Sequence, residues 1–140
     1  MYYVDDLSNS MYQKMYHLAH EVKERAYAPY SNSKVGCCLL CGNNVYTGVC
    51  IENRHKELNC CAERVAVYKA ITQGETELLA IAIASSEEVT LPCIKCLNVM
   101  EEFAPSIKVI ARINEDLRVY RISQAKRLLG IMKRAFAKKS

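Results

Sequence analysis

Positions 60–96 of the chain have the sequence CCAERVAVYKAITQGETELLAIAIASSEEVTLPCIKC, in which two cysteine-containing segments flank a long apolar run. Apolar residues at helical spacing predict a helix over Cys61–Thr72, which Gln73-Gly74 ends. The run Leu78–Ser85 is apolar at nearly every position, which is typical of a strand covered on both faces. A further helix is predicted to begin at Cys93 and to extend to Phe103.

The segments on either side of this stretch predict the remaining elements. Gly42-Asn43-Asn44 is a turn signal between two apolar runs and predicts a β-hairpin. Asn114-Glu115-Asp116 predicts a second turn between strands. The outer elements are a helix over Leu7–Ala26, strands over Val35–Cys41, Val45–Ile51, Ile107–Ile113 and Leu117–Ile122, and a helix over Ser123–Ala137, with a break near Gly130 as an alternative.

The order of these elements predicts the fold class. Helices that alternate with strands after an opening hairpin indicate one mixed sheet with helices on both faces. A chain of 140 residues has the size of one compact domain and can bury a continuous core without disulfides. We therefore expect a single α/β domain over residues 1–140.

The charge of the chain gives little support to a nucleic-acid partner. The formal net charge of +4 is mild, and much of it lies near the end of the chain, at Lys133, Arg134, Lys138 and Lys139. A short basic tail is usually a solvated end. With no Trp and two Phe, the chain lacks the basic stripe with interleaved aromatic residues that a polynucleotide site needs.

The apolar pattern and the cysteines predict a compartment. No apolar run reaches the ~20 residues that span a bilayer, and residues Met1–Asp6 lack the pattern of a signal peptide. The sequence therefore predicts a cytoplasmic protein without a membrane partner. Its eight cysteines are expected to be thiols, and clustered thiols suggest metal binding. Cys37, Cys38 and Cys41 lie on a predicted strand and are expected to be buried as small apolar residues.

Two segments, Cys60–Arg64 and Pro92–Cys96, carry residues suited to metal chemistry. Each lies at the predicted N-terminus of a helix, where free backbone N–H groups stabilise a thiolate. Cys93 and Cys96 can face one point from the first turn of a helix, and Cys61 from the other helix adds a third thiolate. Three thiolate ligands with an open fourth position suit a catalytic zinc ion, whose bound water loses a proton near neutral pH.

Two residues that follow Cys61 add acid–base chemistry and charge compensation. An amine that leaves an aromatic ring needs a proton carrier, and the carboxylate of Glu63 can lie beside the open position without binding zinc. Three thiolates leave excess negative charge on divalent zinc. Arg64 is expected to donate hydrogen bonds to the ligand sulfurs and so to offset that charge.

Either segment alone is compatible with a different kind of site. Cys93 and Cys96 would also fit half of a structural zinc site or a redox pair, and Cys60 would then be a candidate fourth ligand. A cysteine near a glutamate on a helix is common. The two segments together favour a catalytic site, since a structural site leaves Glu63 without a role.

Three protein ligands, a glutamate that is not a ligand and a Pro-Cys-x-x-Cys segment are the pattern of zinc deaminases. The sequence resembles the small cytidine deaminases at Ala26–Ser31, Val35-Gly36, Glu52-Asn53, Cys61–Arg64 and Pro92–Cys96. The resemblance implies a three-layer α/β/α sandwich with a five-stranded mixed sheet, and a homotetramer with shared active sites. It also implies that Cys61, Cys93 and Cys96 hold one Zn²⁺ per subunit and that Glu63 shuttles protons, first to ring N3 and later to the leaving amine.

The resemblance further assigns residues to substrate binding, and this sequence departs from the family at several of them. Glu52 is implied to bind the ribose 3′-hydroxyl, and the backbone carbonyl of Ala62 to hold the amino group. Ser33 stands where the family has a Phe that lines the base pocket, and Cys50 where it has an Asn that binds the sugar. Arg54-His55-Lys56-Glu57 replaces small and apolar residues.

The family also contributes an aromatic residue near its C-terminus to a neighbouring subunit's pocket. Phe136 is the candidate in this chain, although it lies later than the family pattern places that residue. An element of this kind would make the active site dependent on the assembly.

These observations leave three candidate functions. The first is hydrolysis of the cyclic amidine C–N bond of cytidine or deoxycytidine in pyrimidine salvage, which gives uridine or deoxyuridine and ammonia. The second is deamination of a modified cytosine nucleoside, such as blasticidin S with its altered sugar and basic tail, or of another aminated heterocycle. It is raised by the departures at the nucleoside-binding positions. The third is a non-catalytic zinc or thiol binding module.

Overall fold

The computed structural model describes residues 8–87 and 90–137. Leu7, the segment Met1–Asp6, and Lys138 and Lys139 of the basic tail lie outside the described residues. The elements are α1 (Ser8–Val22), β1 (Val35–Cys41), β2 (Asn44–Val49), α2 (Ala62–Thr72), β3 (Leu78–Ser85), α3 (Ile94–Phe103), β4 (Lys108–Ile113), β5 (Asp116–Tyr120) and α4 (Ile122–Ala137), with short 3₁₀ helices at Lys23–Arg25 and Lys56–Leu58. Within the described ranges, none of the helices is long and apolar enough to cross a membrane.

The five strands form one mixed sheet in the order β2-β1-β3-β4-β5. β3 and β4 run parallel, and the other neighbouring pairs are antiparallel. The hairpin between β1 and β2 closes directly after the pair Cys41–Asn44, and Gly42 takes a positive φ of 52° in its turn. The predicted five-stranded mixed sheet is confirmed.

Alternate side chains of the central strands enter two separate cores, one on each face of the sheet. On one face, Cys37, Leu39 and Ile81 pack with buried residues of α2, α3 and α4. On the other, Cys38 and Ala82 pack against Tyr12, Met15 and Ala19 of α1. Helices therefore cover both faces, which confirms the three-layer α/β/α arrangement and explains why β3 is apolar along its length.

The predicted bounds agree with the structure at two strands and differ elsewhere. β2 was predicted to Ile51 but ends at Val49, and β5 was predicted to Ile122 but ends at Tyr120, because Ile122 is the first residue of α4. β1 and β3 match their predicted ranges, and Cys37, Cys38 and Cys41 are buried as expected. The first helix was predicted to Ala26 but ends at Val22, and its last turn tightens into the 3₁₀ helix. α4 continues through Gly130 without a break. That residues 1–140 form a single domain stays a prediction.

One close contact between backbones fixes α2 against the sheet. An ideal Cβ on Gly48 of β2 would lie 2.3 Å from the carbonyl oxygen of Ala62 and 2.8 Å from the backbone nitrogen of Ala66. Both distances are well inside van der Waals contact, so glycine is the residue that permits this approach. The contact holds the first turn of α2 directly over the hairpin.

We expect Gly48→Ala to lower the free energy of unfolding by about 1–3 kcal/mol, because backbone atoms cannot move aside for the added methyl group. Denaturant unfolding of the two proteins in the same metal-loading state measures the change. Gly130→Ala is the matched control. A Cβ at Gly130 meets only Arg134 Nη1, at 3.5 Å, and alanine in a helix should raise stability by up to about 1 kcal/mol. Equal changes in the two variants would contradict the close-approach argument.

Candidate metal centre and active site

The N-termini of α2 and α3 present the three predicted metal ligands. Cys61 is the N-cap residue of α2 and Cys93 that of α3, and both have extended backbone conformations. Each helix therefore begins one residue after its cysteine, whereas the sequence pattern placed the cysteine inside the helix. Cys96 lies in the first turn of α3, where it is fully buried.

The three sulfur atoms converge on one point. The Sγ atoms of Cys61 and Cys93 are 3.9 Å apart, and those of Cys93 and Cys96 are 3.4 Å apart. All three lie within 4.8 Å of one another. Tetrahedral zinc with Zn–S bonds of ~2.3 Å separates its sulfur ligands by roughly 3.8 Å, so the observed spacing and the donor chemistry fit Zn²⁺.

The first turn of α3 favours the ionised form of one ligand. Hydrogen bonds with the thiols of Cys61 and Cys96, and smaller contributions from the backbone N–H groups of Cys96 and Lys95, lower the pKa of Cys93 to about 2. The backbone N–H groups, which are the contribution expected of a helix N-terminus, are the smaller cause at Cys93. The hydrogen bond with Cys93 raises the pKa of Cys61, and the one with Cys61 raises the pKa of Cys96. Metal binding requires thiolates, so the site has a ligand in the required protonation state before the ion arrives.

Cys60 lies next to Cys61 in sequence and is separate from the cluster. Its backbone N–H and C=O pair with Ile51, and its side chain lines a surface groove with Tyr46, Val65 and Tyr68. In the part of the chain that the structure describes, Cys61, Cys93 and Cys96 are the only group of three or more His, Cys, Asp or Glu residues close enough to hold a metal ion. The prediction that Cys60 would be the fourth ligand of a structural zinc site is therefore wrong.

Arg64 lies beside the sulfur cluster, as predicted. Its Nη2 donates a hydrogen bond to Cys61 Sγ at 3.5 Å, and this bond raises the pKa of the guanidinium above its ordinary value. Its Nε is buried and has no hydrogen-bond partner within the described residues. A guanidinium in this position places positive charge against a ligand sulfur, which is what an excess of thiolate charge requires.

Glu63 is a buried carboxyl next to the sulfur cluster. Its side chain is 4% exposed, and burial raises its pKa to about 7. It lines a cavity of about 170 Å³ together with Cys61 and Cys93. A carboxyl group with a pKa near 7 can both accept and donate a proton at neutral pH, which is the property that general acid–base catalysis needs.

The rest of this cavity, which we call the reaction cavity, is lined by both apolar and polar side chains. Apolar side chains of Val35, Ile83 and Leu91 line it, and Thr90 adds a hydroxyl. The Thr90 hydroxyl hydrogen-bonds with Ser85 at the end of β3 at 2.5 Å. Sequence reasoning missed Thr90, which lies three residues before Cys93 in the segment that leads into α3.

Cys50 and Ser33, at two positions where the sequence departs from the family pattern, are joined by a hydrogen bond. The Cys50 thiol donates to the carbonyl oxygen of Ser33 at 3.5 Å and accepts from the N–H of Val35 at 3.3 Å. Cys50 lines the reaction cavity, whereas the side chain of Ser33 does not. The thiol therefore joins the loop before β1 to the cavity wall.

The carbonyl of Ala62 faces the hairpin. It accepts a hydrogen bond from the Cys37 thiol at 3.0 Å and lies against Gly48. Ala62 also lines the reaction cavity. Its implied contact with the substrate amino group stays a prediction.

Glu52 closes a turn rather than pointing freely into solvent. Its Oε1 accepts from the N–H groups of Tyr30 at 2.9 Å and Ser31 at 3.2 Å, and its Oε2 accepts from the Ser31 hydroxyl. The Ser31 hydroxyl bond in particular lowers the pKa of Glu52. Glu52 lines a second cavity of about 280 Å³, which is separate from the one that contains Glu63.

Phe136 lies on α4, which packs against α3, β4 and β5. The side chain is 66% exposed and does not line the reaction cavity of its own chain. Its predicted contribution to a neighbouring subunit stays a prediction.

We expect Cys61→Ser to reduce the zinc content of the purified protein well below one ion per chain, and Cys60→Ser to leave it near one. The reason is that the sulfur of Cys61 belongs to the cluster and that of Cys60 does not. Elemental analysis after removal of free metal measures the content. Zinc loss in Cys60→Ser with retention in Cys61→Ser would reverse this assignment.

Comparisons with known proteins agree with this arrangement. The model of the family described as "Cytidine and deoxycytidylate deaminase zinc-binding region" matches residues 9–112. A cytidine deaminase of Halalkalibacterium halodurans is 40% identical over 90 residues, which are 63% of this chain and 68% of that protein. A probable cytidine deaminase of Dictyostelium discoideum is 32% identical over 123 residues, which are 85% of this chain and 82% of that protein.

Solved structures place the fold in the same group. A crystal structure of cytidine deaminase from Burkholderia pseudomallei has a TM-score of 0.75 and 34% identity to this chain, and the match covers 81% of this chain and 94% of the other. The matched family model includes both helix N-termini that carry the sulfur ligands. The chain belongs to the zinc-binding cytidine and deoxycytidylate deaminase family.

Proposed function

We propose that the protein is a zinc-dependent cytidine deaminase, which hydrolyses cytidine and deoxycytidine to uridine and deoxyuridine and releases ammonia. One observation carries the proposal. The buried carboxyl of Glu63 shares a small cavity with two of the three converging cysteines. A structural zinc site has no use for a buried acid of this kind, whereas hydrolysis of an amine requires one.

The residues of the chain divide the chemistry between them. Zn²⁺ held by Cys61, Cys93 and Cys96 supplies a hydroxide nucleophile when bound, because it lowers the pKa of water. Glu63 accepts the proton of the attacking water and donates it to ring N3. It then takes the proton of the hydroxyl newly attached to C4 and donates it to the leaving amine, which departs as ammonia while C4 becomes the carbonyl carbon of the product. Its pKa of about 7 lets one group take both roles.

Arg64 and the apolar wall set the conditions for that proton transfer. The guanidinium draws charge from Cys61, which keeps the cluster from becoming too electron-rich to activate water. Val35, Ile83 and Leu91 keep the cavity largely apolar. Because an apolar environment disfavours the ionised carboxylate, it helps to hold the pKa of Glu63 near neutrality.

For nucleoside binding we assign the sugar to Glu52 and the amino group to the backbone of Ala62. Cys50 lines the reaction cavity together with Ala62, and Ser33 acts through the hydrogen bond that its carbonyl accepts from the Cys50 thiol. A thiol is a weak hydrogen-bond partner, so it adds little to sugar recognition. Glu52, with its carboxylate fixed by Tyr30 and Ser31, then carries most of it.

We assign the protein to a cytoplasmic homotetramer that acts on nucleosides in pyrimidine salvage, with no nucleic-acid or membrane partner. Free thiols at all eight cysteines support a reducing compartment. Large apolar side chains are exposed on two neighbouring helices, at Phe103 of α3 and at Ile131 and Phe136 of α4. Exposed apolar clusters of this kind support an interface between subunits, to which Phe136 would contribute.

We expect Glu63→Gln to lower kcat by about 10²–10⁴-fold, because the amide keeps the shape of the carboxyl but cannot carry the proton. Zinc content should stay near one ion per chain. Glu101→Gln is the matched control, since Glu101 is exposed on α3 and pairs with Lys126 rather than with the cavity. Unchanged turnover in Glu63→Gln would refute the assigned role.

A substrate panel on the zinc-loaded protein tests the reaction. We expect ammonia release from cytidine and deoxycytidine and slower release from cytosine, which has no sugar for Glu52. Blasticidin S should be a poor substrate because its basic tail would meet Arg54 and Lys56 in the cavity beyond Glu52. Turnover of blasticidin S alone would instead favour a modified cytosine nucleoside. No turnover of any of the four, with zinc bound, would overturn the proposed function.

A further inference from the structure

Thr90 contributes a hydroxyl group to the reaction cavity, and the chemistry proposed above gives it no role. The polar side chains that line this cavity are those of Cys50, Cys61, Glu63, Thr90 and Cys93. The two cysteines of the metal centre and the proton carrier Glu63 already have roles. The Cys50 thiol donates one hydrogen bond to the backbone and accepts another from it. Among the described residues that line the cavity, Thr90 therefore has the polar side chain that remains for contact with a substrate.

The Thr90 hydroxyl keeps hydrogen-bonding capacity after its contact with Ser85. The two hydroxyl oxygens are 2.5 Å apart, and Ser85 Oγ also accepts from the N–H of Glu87 at 3.1 Å. A hydroxyl group has one proton and an oxygen with two lone pairs. Whichever of the two hydroxyls donates in this pair, Thr90 retains at least one lone pair that can accept a hydrogen bond from a ligand.

The position of Thr90 is fixed from two strands. Its hydroxyl is bonded to Ser85, a buried residue at the end of β3. Its N–H donates to the carbonyl oxygen of Arg112 on β4 at 3.5 Å. The hydroxyl is therefore oriented before a substrate arrives, which reduces the entropy lost when a ligand binds to it.

The order of the strands places Thr90 and Cys50 at opposite ends of the reaction cavity. Cys50 follows β2, and its N–H donates to the carbonyl of Val35 at the start of β1. Val35 pairs with Ser85 at the end of β3, and Thr90 bonds to Arg112 on β4. Since the strands lie in the order β2-β1-β3-β4, the width of two strands separates Cys50 from Thr90.

This separation orients a cytosine nucleoside in the cavity. The proposed function assigns the sugar to Glu52, two residues after Cys50, so the sugar lies at the β2 end. In a cytosine nucleoside the sugar is attached to N1, and C4, which carries the amino group, is the ring atom opposite N1. The amino group is then directed toward the end that contains Thr90. Cys93 of the metal centre follows Thr90 by three residues, so the reacting carbon also lies at this end.

We propose that Thr90 is a catalytic residue, whose hydroxyl oxygen accepts a hydrogen bond from the amino group at C4 and holds that group as it leaves. The inference rests on the proposed function, because it uses the orientation that this function gives to the nucleoside. The amino group has two N–H bonds. The carbonyl of Ala62 accepts from one of them, and Thr90 accepts from the other.

The contact with Thr90 strengthens during the reaction. When Glu63 donates its proton to the amine, the nitrogen gains positive charge, and its N–H groups become stronger donors. The C–N bond then breaks, its electron pair stays with the nitrogen, and ammonia leaves. A hydrogen bond that is stronger in the transition state than in the bound substrate raises kcat.

Equilibrium binding to the zinc-loaded Glu63→Gln protein tests the contact without turnover. The two ligands are cytidine and the riboside of pyrimidin-2-one, which has hydrogen in place of the amino group at C4. Added to this protein, Thr90→Val should weaken cytidine binding about three- to tenfold, as expected for one lost hydrogen bond, and leave binding of the second ligand nearly unchanged. Calorimetry measures both. Equal losses for the two ligands, or no loss for either, would overturn the proposal.

The proton-transfer step is tested in the protein that retains Glu63. We expect Thr90→Val to lower kcat for cytidine about tenfold or more, with a smaller change in KM, because a bond to a charged donor is lost. Thr90→Ser keeps the hydroxyl and should restore most of kcat. Thr72→Val is the matched control, since it makes the same substitution at the exposed end of α2, outside the reaction cavity. Normal kcat in Thr90→Val, or a loss that Thr90→Ser also shows, would overturn the proposal.

The outcomes separate this inference from the proposed function. Cytidine turnover together with equal binding losses for the two ligands would overturn the role of Thr90 and leave the deaminase function intact. Absence of both cytidine binding and turnover in the zinc-loaded protein would overturn the proposed function and this inference with it.

Discussion

The backbone of α2 packs directly against the backbone of β2 at Gly48, and the positions of the reactive groups follow from that contact. The carbonyl of Ala62 lies against Gly48 and accepts a hydrogen bond from Cys37. Because Ala62 is held in this way, the residues on either side of it, Cys61 and Glu63, are both fixed at the reaction cavity. The parallel strands β3 and β4 are connected through α3, and the N-terminus of this helix brings Cys93 and Cys96 next to Cys61. Close packing between helix and sheet thus fixes the positions of the sulfur ligands.

The same packing sets the electrostatics of the site. Burial of Glu63 in an apolar wall raises its pKa to about 7, and hydrogen bonds with neighbouring thiols, together with helix N–H groups, lower the pKa of Cys93. The surroundings of these two acidic groups in the same cavity therefore shift their pKa values in opposite directions. A buried carboxyl costs folding free energy, and such a cost is typical of a group kept for its chemistry rather than for stability.

The strands and the sulfur ligands could be predicted from the sequence because their signals are local. Apolar runs bounded by turn residues predicted β1 and β3 to the residue, and cysteines three positions apart on a helix converge by geometry alone. Features that join distant segments could not be predicted in this way. The Glu52 carboxylate closes the turn at Tyr30 and Ser31, and the Cys50 thiol bonds to Ser33. Neither pairing follows from spacing, because each depends on how the segment after β2 lies beside the segment before β1.

The charged residues of the second cavity, which Glu52 lines, and the residues of the reaction cavity would affect different kinetic quantities. Arg54 and Lys56 line the cavity that contains Glu52 and do not line the reaction cavity, so contacts that they make with a substrate would change little as the C–N bond breaks. Interactions that are equal in the ground state and the transition state lower KM and leave kcat nearly unchanged. The proton transfer proposed for Glu63 involves the reacting atoms, so loss of this group would lower kcat. The loop Arg54-His55-Lys56-Glu57 therefore lies where a change of sequence would alter substrate affinity more than the rate of the chemical step.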